Sequence, residues 1–305
     1  MHTPEPPRLI RTAELRADGW TTREVRAAVA LGRLIRMRQG AYAVEGTDPD
    51  CVDAGRLLGR LTGCSELRRR GVFVLGSDRL QVHAPPATSR IGTLARPYRL
   101  HRRELLRAPH PASLVVEPLD AVYDAVLAQP PRAAVASIDS ALRAGVLRND
   151  ELDELFTALP GRLRGLRSLV DPRAESGAET LMRLILRSLG CAFEAQVVLP
   201  GVGRVDFLVE GWLVVECDSQ AHHASWEAQR ADRRRDLAAA ALGLVTLRVI
   251  AEDIFWRPDA VRSALAGARA SRLHGRRRLA ASQPRATPIR HGIGTDRRGS
   301  TVRNR

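Results

Sequence analysis

Lysine is absent from the 305 residues, and all 48 basic side chains are arginine. That absence removes the ammonium group that could steady charge developing on a phosphate. An all-arginine bias with abundant alanine also matches a GC-rich genome, so net charge alone is weak grounds for a polyanionic partner. Cysteine is scarce. Cys51, Cys64, Cys191 and Cys217 show no C-x-x-C spacing, which leaves no zinc or disulfide framework and points to a reducing, cytoplasmic setting. No apolar run approaches the roughly 20 residues needed to span a bilayer, and the start, Met1-His-Thr-Pro-Glu-Pro-Pro, lacks an apolar signal core. A glycine-rich phosphate loop, a Ser-His-Asp arrangement and internal repeats are also missing.

The charge that is present is unevenly spread. The chain carries +14, and residues 270–305, with ten Arg and one Asp, supply +9 of it. Rich in Gly, Pro, Ser and Thr with almost no apolar periodicity, that stretch reads as a disordered basic tail able to add salt-sensitive affinity for DNA. The length suggests about two cored domains before it.

The most informative segment is a hairpin bearing acids. Arg204-Val205-Asp206-Phe207 is followed across Glu210-Gly211-Trp212 by Val214-Val215-Glu216-Cys217-Asp218, then His222-His223. Strand side chains alternate faces, so Glu216 and Asp218 share one face, and a turn centred on Gly211 sets Asp206 opposite Glu216. Carboxylates at cross-strand range, roughly 5 Å, repel unless a cation lies between them. Mg²⁺, or Mn²⁺, suits such oxygens and can activate water and hold a leaving phosphate oxygen. Asp and Glu are depleted in strands, yet here they interrupt apolar segments. Pairing of Asp206 with Arg204 or Arg248 is the competing account. His222 and His223 read either as a general acid or base near neutral pH or as an ordinary turn.

Around the hairpin the pattern gives the order αβββαβ. Ser176-Gly-Ala-Glu179 opens a helix with Leu181, Leu184, Ile185, Ser188 and Leu189 in period, closed by Gly190. Gln196 to Leu199 is a strand, Trp226 to Leu242 a helix, and Leu244 to Ile250 a buried strand. From about Glu175 to Ala266 this resembles the PD-(D/E)XK nuclease core, in the branch similar to very-short-patch-repair endonucleases that occurs in many actinobacterial proteins. The resemblance implies a mixed sheet and an Mg²⁺-dependent endonuclease. It matches Asp206 and Glu216 to the acidic motif positions and Glu179 to a helix glutamate, giving Asp206, Glu216 and Glu179 as metal ligands. Asp218 stands where many members have lysine, and the E-x-D sequence followed by histidine is how this branch usually reads. Ser219 stands where glycine is common. Asp218, His222 and His223 complete the candidate catalytic set. Arg230, Asp232, Arg235 and Asp236 follow the branch's R-x-D-x-x-R-D pattern: Arg230 and Arg235 either clamp phosphate or sit on a solvated face of mixed charge. Arg248 reads as structural.

The N-terminus carries a separate signal. Thr12 to Ala17 reads as a short helix ended by Asp18-Gly19. Thr21-Thr22-Arg23-Glu24 offers a capping box for a second helix to Leu31, terminated by Gly32. Arg33 to Val44 then alternates and turns at Gln39-Gly40, a basic two-stranded wing. Helix-turn-helix plus wing is a DNA-docking geometry, with Arg23, Arg26, Arg33, Arg36 and Arg38 as its basic contacts. Residues Leu9 to Val44 resemble the winged helix that begins AbiEi-type antitoxins, which implies duplex DNA as partner and leaves a homo-oligomer or a toxin–antitoxin partner open. Some winged helices bind only proteins.

Between these ends, Ala54 to Leu61, Leu119 to Ala128 and Ala133 to Ala144 read as helices and Gln81-Val82-His83 as extended; Asp139 reads as a packing or capping residue rather than a ligand. Thr62 to Glu66 and Ala136 to Gly145 resemble connecting regions of actinobacterial proteins that pair the same two ends. The expected organisation is α/β: a winged helix-turn-helix over residues 1–46, an α+β, mainly helical connector over 47–170, the restriction-endonuclease-like αβββαβ core over 171–269, and the tail over 270–305. Two functions compete: a winged-helix-targeted DNA endonuclease, and a non-enzymatic, antitoxin-like regulator with a degenerate nuclease fold.

Overall fold

The computed structural model describes residues 6–76, 79–88, 91–218 and 226–282 as a mixed α/β protein. The chain divides into two units, Met1–Arg262, which holds every described sheet, and Ser263–Arg305.

A three-stranded sheet opens the chain. After β1 (Ile10–Arg11) come α1 (Thr12–Ala17), α2 (Thr22–Ala30), β2 (Leu34–Arg38) and β3 (Ala41–Val44), in sheet order β1-β3-β2. Thr21 caps α2 as expected: its Oγ1 accepts from the Glu24 N–H at 3.2 Å, and Glu24 returns the favour by accepting from the Thr21 N–H at 2.7 Å. Gly32 and Gly40, at φ 76° and 73°, close α2 and turn the hairpin, and β1 is a short third strand that periodicity does not reveal. Leu15, Val25, Ala28 and Leu34 form its small core. Ala41 and Ala43 pack in a second cluster with Leu57, Leu61 and Val82, so apolar contact runs across the 46/47 boundary.

The middle region supplies α3 (Pro49–Arg56), β4 (Arg60–Leu61), α4 (Gly63–Arg69), β5 (Leu80–His83), β6 (Tyr98–His101), α5 (Pro118–Ala128), α6 (Pro131–Arg143), α7 (Leu152–Ala158) and α8 (Gly161–Arg164). The helix expected over Ala54 to Leu61 is corrected. Asp48 caps α3 from Pro49, and Leu58 at φ 59° ends it, leaving Arg60 and Leu61 to pair with β5. Helices α4 to α7 share the largest apolar cluster, including Leu67, Leu119, Val122, Ile138 and Leu155.

The C-terminal part contains α9 (Gly177–Ser188), β7 (Phe193–Leu199), β8 (Gly203–Val209), β9 (Leu213–Asp218), α10 (Trp226–Ala241), β10 (Val245–Ile250), α11 (Ala251–Trp256) and α12 (Pro258–Ser282). The αβββαβ order read from the sequence is present. The sheet runs β10-β9-β8-β7, antiparallel except for the parallel β10–β9 edge. Glu210 and Gly211, at φ 50° and 70°, open the three-residue connection 210–212 between the paired Val209 and Leu213, and that register pairs Phe207 with Val215. Helix α12 continues through Ser282, into the stretch expected to be disordered. Arg, Ala and Leu dominate Ala268–Ala281 and favour helix, and the first proline after it is Pro284. Residues 283–305 lie outside the described residues.

Asp139 joins the middle to the C-terminal part as a structural residue. Buried on α6, it accepts from the Asp171 N–H at 2.8 Å, Thr180 Oγ1 at 3.0 Å and Arg183 Nη2 at 2.7 Å. Burial is the largest influence on its pKa and pushes it up to about 6 against those donors. Removing the carboxylate strands the Arg183 guanidinium in the interior. Asp139→Ala is therefore expected to cost about 3–5 kcal/mol in chemical denaturation, the scale of a broken buried pair. A loss under about 1 kcal/mol contradicts this role.

Candidate functional site

Three elements bring acids to one end of the C-terminal sheet. Glu179 sits in the first turn of α9, where Ser176 Oγ accepts from its N–H at 3.2 Å and fixes the helix start. Asp206 and Glu216 lie on the neighbouring strands β8 and β9. The register Phe207↔Val215, continued by one residue, sets Asp206 opposite Glu216.

The sheet is irregular at that rung. Ladder pairs run Ala195↔Phe207 and Val197↔Val205, and the pair between them, Gln196 with Asp206, is missing. Gln196 has φ 57°, a left-handed conformation that costs a non-glycine residue on the order of 1–3 kcal/mol. Face alternation resets there as well. Val205 and Leu208, three residues apart, both pack in the cluster containing Val214 and Ala239, which a regular strand would not permit.

This irregularity corrects the expectation of one crowded carboxylate face, because the acids divide into two adjoining sets. In the first, Asp206 Oδ2 accepts from the Cys217 N–H at 2.8 Å, and Glu179 Oε2 accepts from the Glu175 N–H and from Gln196 Nε2, each at 2.8 Å. The Gln196 side chain also draws the pKa of Asp206 down. In the second, Glu216 Oε1 accepts from Arg235 Nη2 at 2.9 Å, while Asp218 lies 3.5 Å from Arg248 Nη1. Neither Arg204 nor Arg248 pairs with Asp206: Arg204 meets Glu175 at 2.6 Å and Arg248 meets Asp236 at 3.0 Å. The structural reading of Arg248 holds. Among the described residues no three His, Cys, Asp or Glu side chains stand where they could hold a metal ion together.

The sets remain electrostatically joined. Burial raises the pKa values of Glu179, Asp206 and Glu216 above their ordinary values; Asp206 raises both others further, and Arg235 pulls Glu216 back. Cys217 is pushed well above a normal thiol by burial, then by Asp206, Glu179, Glu216 and Asp218 in turn. A cation meeting oxygens of both sets would relieve that repulsion.

The arginines sort by what they touch. Arg235 points inward: besides Glu216 it donates to the carbonyls of Val202 at 3.0 Å and Arg204 at 2.7 Å, so its fork is committed within the protein. Arg38 likewise donates to the Gly55 carbonyl at 2.9 Å. Arg23, Arg26, Arg33, Arg36 and Arg230 are exposed. His222, His223 and Ser219 lie outside the described residues. Sequence reasoning placed Gln196 at the start of a strand and gave it no role. The available signal was a single amide side chain inside the apolar run of β7.

Compared with known proteins, the chain matches no family model, and no curated protein matches it significantly. Among the described residues no helix is long and apolar enough to cross a membrane.

The pH dependence follows from the raised pKa values. A carboxylate whose folded pKa is raised binds its proton more tightly when folded. Its contribution to stability is present below the unfolded values, 4.5 for Glu and 3.8 for Asp, and is lost as pH rises through the folded value. Asp206→Asn lacks the charge and still offers an oxygen to the Cys217 N–H. In metal-free buffer it is expected to melt above wild type near pH 8, with the advantage shrinking as pH falls towards 5. A constant or reversed difference across that range contradicts the burial account.

Proposed function

We propose that the protein is a divalent-cation-dependent DNA endonuclease of the PD-(D/E)XK type, delivered to duplex DNA by its N-terminal helices and hairpin. The observation that carries this reading is the convergence of Glu179, Asp206 and Glu216 from a helix and two adjacent strands, Glu179 and Glu216 buried and Asp206 half-buried, at an irregular rung of the sheet. Carboxylates are poor strand residues and costly to bury, so three together at a strained position argue for a site rather than for packing. All-oxygen donors suit Mg²⁺ or Mn²⁺ over softer metals.

When bound, such a cation supplies Lewis acidity, an activated water and compensation of charge on the phosphate. Glu179 and Asp206 would bind it, with Glu216 joining once its carboxylate leaves Arg235. Arg235, freed on one side, keeps its two backbone carbonyls and so stays beside the site. Asp218 is held by Arg248 at the strand end, where it can orient water. His222 or His223 would move the proton. Exposed Arg23, Arg26, Arg33 and Arg36 would contact phosphates, whereas Arg38 braces the hairpin against α3.

A second reading, a non-enzymatic DNA-binding regulator of the antitoxin-like kind, is favoured by one specific observation. Glu216 already has a cation, the Arg235 guanidinium, and an acid answered by an arginine needs no metal.

Two experiments test the proposal. Plasmid and single-stranded DNA are incubated with the protein in Mg²⁺ or Mn²⁺ against EDTA. Cleavage is expected with metal and lost in Glu216→Gln, whose stability should stay within about 1 kcal/mol of wild type because the amide oxygen still accepts from a part-exposed arginine. Wild-type protein inert towards both substrates, with intact duplex binding, favours the regulator. Separately, with the C-terminal arginines replaced throughout, Arg36→Ala should weaken duplex binding and reduce the salt slope by about 1. Arg38→Ala should instead lower the melting temperature, and unchanged affinity in Arg36→Ala moves the module towards protein binding.

A further inference from the structure

Gln196 is held at a cost that its position in the strand does not explain. Its backbone is left-handed, at φ 57°, and its rung in the β7–β8 ladder is broken. A glycine would adopt that conformation freely. A Gln kept there in the folded chain indicates that its side chain does something glycine cannot.

What the side chain does is visible in its two ends. The amide nitrogen donates to Glu179 Oε2 at 2.8 Å, and the same amide lies near enough to Asp206 to draw its pKa down, so one neutral donor serves two carboxylates that come from different elements. The amide oxygen is buried with no hydrogen-bond partner. A buried acceptor without a partner is uncommon and costs roughly 1–3 kcal/mol. Around it, among the described residues, the donors suit a hard cation: carboxylate oxygens and a neutral carbonyl-type oxygen, with the Cys217 thiol beside them.

We propose that Gln196 is the placeholder and neutral ligand of the cation site: without metal its amide nitrogen is held by Glu179 beside Asp206, and on binding the amide turns over so that its oxygen would join theirs on the cation. This rests on the reading above, in which these carboxylates take a divalent cation. Turning the amide by half a revolution about its last torsion exchanges a donor for an acceptor at almost unchanged shape. The same motion withdraws the donor that the cation replaces and satisfies the oxygen that lacks a partner. Both carboxylates thus have a positive partner in either state, a hydrogen or a metal ion. The missing rung is then functional, since a regular pair at Gln196 and Asp206 would alternate their side chains with the ladder instead of turning the amide towards α9.

The test measures Mn²⁺ binding to the full chain by calorimetry, with melting temperature recorded in parallel. Gln196→Leu removes both amide functions, and Gln196→Glu keeps an oxygen while losing the donor. The expected result is Mn²⁺ affinity at least about tenfold weaker in Gln196→Leu, the scale of a lost ligand or supporting partner, and equal or tighter in Gln196→Glu. Gln196→Glu should also melt lower than wild type without metal, from added repulsion, and recover more on Mn²⁺ addition. A purely structural Gln196 would lower the melting temperature of both variants and leave both affinities within about twofold, which overturns the proposal. Loss of affinity in both variants overturns the ligand role. Should Gln196→Leu not fold, selective ¹⁵N-glutamine labelling of wild type reads the same event: Mg²⁺ should shift the Gln196 side-chain amide signals as they leave the carboxylates, and unmoved signals in metal-saturated protein overturn it. Wild type that binds no Mn²⁺ overturns the underlying site reading, whereas wild-type binding that is indifferent to Gln196 leaves that reading standing and sinks this one.

Discussion

A carboxylate taken out of water must be answered by a proton, a hydrogen-bond donor or a cation, and the architecture of this protein is arranged around that demand. Away from the candidate site, the answer is arginine. Glu66, fully buried, is gripped by Arg69 and Arg70. Asp124 is held by Arg103, Thr62 and His101, and Asp139 by Arg183. The guanidinium fork gives two or more directed donors per side chain and is more weakly hydrated than an ammonium, so an all-arginine chain can bury acids in the middle region without leaving their lone pairs empty.

At the C-terminal sheet the same rule is only partly met. Glu216 has Arg235, but Asp206 and Glu179 have backbone N–H groups and one neutral amide, donated to Glu179, and their pKa values stay raised. Among the described residues no arginine pairs with either. The residual repulsion is concentrated where the backbone is strained at Gln196, and it is this coincidence of electrostatic and conformational cost, rather than net charge, that separates the candidate site from the structural ion pairs. On the proposed reading, stability is traded there for affinity for a cation.

Much of this arrangement was legible in the sequence because the rules that encode it are local. The Thr21–Glu24 capping box, the hairpin turn at Glu210-Gly211 and the αβββαβ order each depend on a few adjacent residues and appear where expected. Alternation pointed to Asp206 opposite Glu216, one step beyond the Phe207↔Val215 pair at which the β8–β9 ladder ends. It failed one step further, at the contacts, because the reset at Gln196 and Asp206 depends on a side chain reaching across to α9, which no strand pattern records. Arg235 and Arg38 were unreadable for a related reason. An arginine among other charges looks solvated until tertiary packing supplies the carbonyls that capture it. The helix misplaced over Ala54 to Leu61 shows the limit of propensity, since pairing of Arg60 and Leu61 with β5 overrides it.

The central claim is that the acids of α9, β8 and β9 converge to hold a divalent cation. A crystal grown with Mn²⁺ and measured for anomalous scattering tests it most directly. The account predicts one peak at about 2.1–2.2 Å from carboxylate oxygens of Asp206 and Glu179, with the Gln196 amide oxygen turned towards it. A Mn²⁺-saturated crystal with no peak there, Glu216 still on Arg235 and the Gln196 amide nitrogen still on Glu179 would contradict it.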